Sequence, residues 1–232
     1  MVKVFFYVLV FFIIVLLLSP ISQAQDCSAN STIHDDSCVQ VKVYSKNKQA
    51  LVDMVVYLEP LSGQVLTPSI SPLVISQKDK AFSPYISIIQ ANQEIQFTNQ
   101  DDITHHIYSV SQGNKFSFKI RAGQSNANTR FEHSSEVAMG CNIHDWMSGY
   151  LLVVDTPYFT KTNQQGIANF ANIQQGKYRV VVWHPQMKTS NNRLIVEKNI
   201  NGNALFSVSL TAELEKLPVQ ESDDDFDFLS DY

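Results

Sequence analysis

The stretch VQVKVYSKNKQALVDMVVYLEP, residues 39–60, decides the fold class. Apolar and polar residues alternate over 39–43, and a continuous apolar run covers 54–58 after a polar turn. Alternation with a period of two indicates a half-buried strand, whereas a short continuous apolar run suits a strand covered on both faces. The stretch therefore predicts two strands rather than a helix.

The same two patterns recur along the chain. Alternation returns over 94–97 and 115–120, and apolar runs return over 150–154 and, interrupted only by Arg179, over 178–183. Glycine and proline separate these segments, as is typical of turns between strands. No amphipathic helix is predicted after the first 25 residues, so the sequence predicts an all-β protein built as one or two β-sandwiches.

The first residues have the features of an export signal. Lys3 precedes an apolar run over 4–18, and the small residues Ser22 and Ala24 stand where a signal peptidase cleaves. We expect a signal peptide over 1–24 and a periplasmic or secreted mature protein with no stable membrane insertion. An uncleaved membrane anchor is the alternative.

Charge excludes one class of partner. The chain carries 17 basic and 22 acidic residues, and no basic stripe is present to neutralise phosphates, so nucleic acid is not an expected partner. Several acidic residues lie in the segment 217–232, which we expect to be a disordered tail.

The odd cysteine count points to a site. Of the three cysteines, Cys27 and Cys38 flank a short polar segment and are expected to form a disulfide in an oxidising compartment. Cys141 is then left over. A thiolate bound to a metal is protected from oxidation, whereas an exposed free thiol is not.

Two segments next to strands carry candidate metal ligands, TNQDDITHHIYSV (98–110) and GCNIHDWMSGYLLVV (140–154). These ligands are His105, His106, Cys141, His144 and Met147. Two imidazoles and a thiolate with a weak axial thioether are typical of blue copper, because sulfur stabilises Cu(I) and imidazole accommodates Cu(II). Zinc rarely takes methionine. We expect one copper ion.

The order of these motifs resembles that of the cupredoxins, the blue copper proteins. The motifs are F-x-P at 82–84, F-T-N-x-D at 97–101, a following histidine, and C-x-x-H-x-x-M at 141–147, and the short ligand loop is most similar to that of amicyanin. The resemblance implies a Greek-key β-sandwich. It also implies the copper ligands His105, Cys141, His144 and Met147. His106 is an alternative to His105, because adjacent residues in a strand point to opposite faces.

Over 39–185 the chain also resembles bacterial proteins described as methylamine utilization proteins or plastocyanin-like proteins, which share GCNIHDWMxGY, DTPYF and WHP. The flanking segments resemble a carboxypeptidase regulatory-like, or transthyretin-like, sandwich. We therefore expect that sandwich over 38–62 plus 156–213, with the copper domain inserted over 74–155. One larger continuous sandwich is the alternative.

Residues outside the ligand set are expected to orient it. Asn99 and Asp101 can hydrogen-bond across the ligand loops, and the backbone N–H of Asn142 can approach the thiolate. His106 stands where cupredoxins usually carry an asparagine that ties the two ligand loops together. Turn formation is the alternative role for Asn99, Asp101 and Asn142.

An apolar patch around His144 is the expected docking surface for a redox partner protein. Its members are Met139, Ile143, Trp146 and Tyr158. Core packing is an equally good account of at least two of them.

These observations predict a type 1 copper protein that transfers single electrons and is not an enzyme. No nucleophile with its base is recognisable, and four filled ligand positions leave no place for a substrate. The alternatives are a copper carrier or buffer protein, and a carbohydrate- or protein-binding module with a structural metal.

Overall fold

The computed structural model describes residues 36–64, 66–68 and 71–220. The predicted signal peptide, Cys27 and residues 221–232 of the predicted tail lie outside this described part. Within it, no helix is long and apolar enough to cross a membrane. The helical structure described is a single 3₁₀ turn, Ser190–Asn192.

The described residues form sixteen strands. In chain order they are β1 (Asp36–Tyr44), β2 (Val55–Pro60), β3 (Leu73–Lys78), β4 (Ala81–Ser83), β5 (Ile86–Gln90), β6 (Glu94–Asn99), β7 (His105–Ser109), β8 (Phe116–Ile120), β9 (Ser125–Arg130), β10 (Ser135–Cys141), β11 (Ser148–Val154), β12 (Phe159–Lys161), β13 (Ile167–Gln174), β14 (Gly176–Trp183), β15 (Arg193–Ile200) and β16 (Ala204–Ser209). The predicted all-β class is confirmed.

The strands make four sheets. Sheet 1 has the order β13-β1-β16, sheet 2 has β12-β2-β14-β15, sheet 3 has β5-β11-β10-β7-β8, and sheet 4 has β4-β3-β6-β9. Sheets 1 and 2 take strands from before residue 61 and after residue 158, while sheets 3 and 4 are built from the segment between them. Sheets 1 and 2 form one sandwich, and sheets 3 and 4 form a second.

Three buried clusters hold the four sheets together. The first core lies between sheets 1 and 2, the site core lies between sheets 3 and 4, and the middle core joins sheet 2 to sheet 3. The middle core contains Val55, Tyr57, Ile86, Leu152, Val154, Val181 and Trp183. The two sandwiches therefore stack face to face.

This stacking explains the continuous apolar runs of the sequence. Successive side chains of a strand point to opposite faces. In β14, Val180 and Val182 face the first core while Val181 and Trp183 face the middle core. The buried part of an inner strand is covered on both faces, so consecutive positions there are apolar. The alternating strand β1 instead buries Val41 and leaves Lys42 partly exposed.

Candidate metal centre

Two strand ends bring the candidate ligands together at one edge of the second sandwich. His105 begins β7 and Cys141 ends β10, and the two strands pair antiparallel with Cys141 opposite Ile107. Beyond Cys141 the loop 142–147 carries His144 before β11 begins. The pairing fixes both strand ends in a rigid sheet, so their side chains converge without depending on a flexible loop.

Three of the predicted ligands form a compact buried group. The Cys141 Sγ lies 3.8 Å from His105 Nδ1 and 3.7 Å from His144 Nδ1. His105, Cys141 and His144 are 0%, 4% and 7% exposed, and their donor atoms all lie within 4.8 Å of one another. No other such group of three occurs among the described residues.

These separations fit a metal ion. Metal–nitrogen and metal–sulfur bonds of about 2.0–2.3 Å, at tetrahedral or trigonal angles, place nitrogen and sulfur about 3.5–3.8 Å apart. Both Sγ–Nδ1 distances agree with this range. The His105–Cys141–His144 group can therefore bind a metal ion.

The hydrogen bond between His105 and Asp101 leaves Nδ1 of the His105 ring free to bind a metal ion. Its Nε2 lies 2.8 Å from Asp101 Oδ2, so Nε2 carries the proton that the carboxylate accepts. In the neutral ring, Nδ1 is then unprotonated, and its lone pair faces the Cys141 sulfur. This carboxylate–imidazole pairing is the usual arrangement behind a metal-bound histidine.

The Cys141 thiol is prepared to ionise. Burial raises its pKa, but the contact with the His105 ring and hydrogen bonds from the backbone of Ile143, His144 and His106 outweigh burial and lower the pKa to about 7. A thiolate is the form that binds metals.

The prediction that the backbone N–H of Asn142 approaches the thiolate is wrong. This N–H instead donates to the His106 carbonyl at 3.0 Å and extends the β7–β10 pairing.

The Asp101 carboxylate is ionised as well. Burial raises its pKa, but the backbone N–H of Lys80, the His105 ring and the backbone N–H of Asp79 together lower it below its usual value. Contacts with Cys141 and Asp101 in turn raise the pKa of His105 against the effect of burial. The pKa of His144 is lowered by burial and then by the charges of His105 and Lys80.

Met147 is 1% exposed and packs in the site core together with Cys141. Its backbone N–H donates to the His144 carbonyl at 3.0 Å, which closes a turn in the ligand loop. The side chain is therefore held inside the sandwich at the end of the loop that carries His144. Its service as a fourth ligand stays a prediction.

His106 points away from this group. Asn142 Nδ2 lies 3.2 Å from His106 Nδ1 and donates to it, and His106 Nε2 lies 2.8 Å from Ser117 Oγ. Because Asn142 directly follows Cys141, this contact ties the two ligand-bearing segments together. Within the described residues, His105 rather than His106 joins the buried group.

Asn99 organises the loop that leads to His105. Its Nδ2 donates to the carbonyls of Ile103 at 2.7 Å and Ile120 at 3.0 Å, and its Oδ1 accepts the Asp101 N–H at 2.9 Å. The side chain is 2% exposed. Asn99 therefore replaces missing backbone hydrogen bonds where β6 ends.

The predicted partner patch is partly wrong. Met139 is 3% exposed and belongs to the site core, because its position in β10 points inward. Tyr158 packs against the first core with its ring beside Tyr178. Ile143 is 48% exposed, and the half-buried Trp146 ring lies 5.4 Å from the His144 ring. Of these four residues, only Ile143 and Trp146 can form a surface at His144.

Two features escaped sequence reasoning. Gln77 is fully buried in β3, and among the described residues neither of its side-chain polar atoms has a hydrogen-bond partner. Alternation along β3 places it inward, which was the available signal. Gln220 accepts a hydrogen bond from the Ser148 N–H at 3.1 Å and contacts the Ser148 hydroxyl at 3.0 Å, beside the ligand loop. No local pattern announces that long-range contact.

Cys141 is the free cysteine of the described chain, and Cys38 is disulfide-bonded. The predicted disulfide partner of Cys38, which is Cys27, lies outside the described residues. The structure thus agrees with the expectation that Cys141 stands apart from the disulfide chemistry.

Comparison with known proteins adds similarities of limited extent. Neither a protein-family model nor a curated protein matches the chain. A copper-containing nitrite reductase from Thermus scotoductus matches at 21% identity and a TM-score of 0.34, over 41% of this chain and 25% of that one. The purple cupredoxin of Nitrosopumilus maritimus matches at 21% identity and 0.31, over 35% and 99%.

An oxidised methionine-to-leucine mutant of amicyanin matches at 13% identity and a TM-score of 0.33, over 35% of this chain and 81% of that one. This chain thus spans only a quarter of the nitrite reductase. The molecule's own geometry defines it as an all-β protein with a buried His–Cys–His group able to bind a metal ion.

Proposed function

We propose that this protein is an exported type 1 copper protein that transfers single electrons between redox partner proteins. The supporting observation is the buried Cys141 thiol 3.8 Å and 3.7 Å from two imidazole nitrogens. Met147 supplies a soft thioether from the same short loop. This donor set suits copper in both oxidation states. Bound copper supplies the reversible one-electron change.

The protein contributes a rigid and water-excluding site. β7 and β10 fix His105 and Cys141 within one sheet, and the side chains of the group are buried. A site whose ligands move little between the two oxidation states of the metal transfers electrons with little reorganisation.

His144 is the proposed contact with the partner. It is the most exposed of the three, at 7%, and it lies beside Trp146 and the exposed Ile143. These two apolar neighbours of a nearly buried ligand suit brief docking by a redox protein. We propose no catalytic role, because the four proposed ligands leave no open position for a substrate.

Export and family type belong to this proposal. The apolar N-terminal segment supports a periplasmic or secreted location. The sequence resemblance to methylamine utilization and plastocyanin-like proteins supports a place among exported electron carriers.

Absorption spectroscopy of the copper-loaded protein tests the proposal. A Cys141 thiolate bound to Cu(II) gives intense visible absorption, which we expect to disappear in Cys141→Ser. The matched control is Met139→Leu, which changes a buried sulfur residue of the same core that is not a proposed ligand. A copper-loaded wild-type protein that remains colourless would overturn the proposal.

Electrochemistry separates electron transfer from copper carriage. We expect a fast, reversible one-electron couple with the metal retained in both states. Release of copper on each reduction, with no reversible couple, would instead indicate a copper carrier or buffer protein.

A further inference from the structure

The Asp101 carboxylate receives hydrogen bonds from two separate parts of the chain. His105 Nε2 lies 2.8 Å from Oδ2 within the ligand segment. From the β3–β4 turn, the Asp79 N–H reaches Oδ1 at 2.6 Å and the Lys80 N–H reaches Oδ2 at 3.0 Å. The Asp101 side chain is 10% exposed. A nearly buried carboxylate with three donors has a fixed orientation.

The turn that supplies two of these donors has a specific backbone form. Asp79 and Lys80 have φ values of 55° and 57°, which is the left-handed pair of a two-residue I′ hairpin turn. Asparagine followed by glycine is the preferred sequence there, so the turn is less favourable with two charged residues. The turn nevertheless directs both backbone N–H groups at Asp101.

The same region is tied firmly to the loop before His105. β3 pairs with β6 in parallel, with Gln77 opposite Asn99, and the Gln100 N–H donates to the Gln77 carbonyl at 2.8 Å. The Asp101 N–H in turn donates to Asn99 Oδ1 at 2.9 Å. The hairpin tip and the ligand segment are therefore parts of one hydrogen-bonded assembly.

We propose that Asp101, held by the Asp79–Lys80 turn, is a positioning residue that sets both the orientation of His105 and the preference of the site for Cu(II) over Cu(I). The inference rests on the proposed function. Asp101 keeps the His105 proton on Nε2, which leaves Nδ1 free for the metal. Its charge also makes the imidazole a stronger donor.

The effect on the metal follows from charge. Reduction adds one electron, delivered by the redox partner, to a site that already lies beside the Asp101 carboxylate. Because the carboxylate is nearly buried, its charge is poorly screened. It therefore stabilises the more positive oxidation state and lowers the reduction potential.

The main test is Asp101→Asn, with Asp102→Asn as the matched control. Both variants remove one carboxylate charge from neighbouring positions, but Asp102 is exposed and Asp101 is not. For Asp101→Asn we expect about tenfold lower Cu(II) affinity, the lower end of the range for a lost outer partner. Cu(I) affinity should change little, so the potential should rise by about 59 mV. Asp102→Asn should leave the potential nearly unchanged.

Two outcomes would overturn the proposal. Equal losses of Cu(II) and Cu(I) affinity, with an unchanged potential, would mean that Asp101 only supports the structure. Equal shifts in both variants would mean that the general field of the protein, rather than the contact with His105, sets the potential.

A turn variant tests the source of the restraint. Asp79→Asn combined with Lys80→Gly keeps both N–H donors and the left-handed backbone, so we expect the wild-type potential. Asp79→Asn combined with Lys80→Pro has the same net charge, but it removes one donor and cannot adopt a positive φ at residue 80, so it should raise the potential in the direction of Asp101→Asn. No difference between the two turn variants would exclude the turn from the proposal.

NMR of the metal-free protein separates this inference from the proposed function. Nitrogen shifts at one fixed pH report which ring nitrogen of His105 carries the proton. We expect the Nε2–H form in the wild type and a mixture in Asp101→Asn. If the wild type binds no copper but shows this difference, the proposed function fails while the role of Asp101 in orienting His105 stands. An unchanged ring in Asp101→Asn would refute that role.

Discussion

His184 in the first sandwich and His105 in the second are both buried, but their pKa values shift in opposite directions. His184 follows β14 of the first sandwich, accepts the Gln186 N–H at Nδ1, and has its pKa lowered to about 4 by burial. His105 in the second sandwich is even more deeply buried, yet contacts with Cys141 and Asp101 raise its pKa. Burial alone favours the neutral form of a histidine, whereas anionic partners beside a buried histidine favour its charged form.

The largest expected effect tests whether the two sandwiches are energetically separate. Leu58 in the first core and Leu151 in the site core are both fully buried. Truncation to alanine should destabilise each variant by about 2–5 kcal/mol, measured by urea unfolding. We expect weaker copper binding in Leu151→Ala and not in Leu58→Ala. Equal losses of copper affinity would mean that the middle core couples the sandwiches fully.

The pH dependence of stability tests the effect of burial on His184. His184 has a folded pKa of about 4 and an unfolded value near 6.5. The unfolded chain therefore binds the proton first, so stability falls as pH drops from about 6.5 to about 4. The full contribution is roughly 3 kcal/mol.

His184→Gln should flatten the stability profile of the metal-free protein in this window, relative to the wild type. His133→Gln is the control, because His133 is exposed. A slope that His184→Gln leaves unchanged would show that carboxyl groups alone produce it.

Two buried asparagines of the second sandwich sharpen the contrast further. Asn99 supports the loop before His105, and Asn114 bonds the His133 carbonyl and Ser135 elsewhere in that sandwich. Either change to alanine should cost about 1–3 kcal/mol, since buried partners lose their hydrogen bonds. Only Asn99→Ala should also weaken copper binding, by about 10–100-fold. Similar copper affinities in both variants would contradict a role for Asn99 at the site.

The smallest effect on stability comes from two methionines of the site core. Met147→Leu and Met139→Leu conserve volume, so each should cost less than about 1.5 kcal/mol. We expect the visible spectrum and the reduction potential of the copper protein to change in Met147→Leu and to stay unchanged in Met139→Leu. Identical spectra in both variants would remove Met147 from the ligand set.

Sequence patterns predicted strands correctly because strand formation follows local rules. Alternation over 94–97 and the apolar runs over 150–154 and 178–183 correspond to β6, β11 and β14. The ligand types were also visible, since the choice of Cys, His and Met depends on chemistry rather than on folding. The spacing of Cys141 and His144 within one loop kept them close whatever the rest of the chain did.

Other features depended on contacts between distant segments. The choice between His105 and His106 required the facing of β7, and the inward position of Met139 required the facing of β10. The partners of Asp101 at the Asp79–Lys80 turn required the parallel pairing of β3 with β6.

The sequence by itself determined that this protein is all-β and that one thiol, nearby imidazoles and a thioether are available for a metal. Strand periodicity and ligand chemistry are local properties, so single segments reveal them. The tertiary structure decided which histidine meets Cys141, which carboxylate stands behind it, and that the two sandwiches share a middle core. Those outcomes depend on which strands become neighbours, and burial and hydrogen bonding across the whole fold select that arrangement.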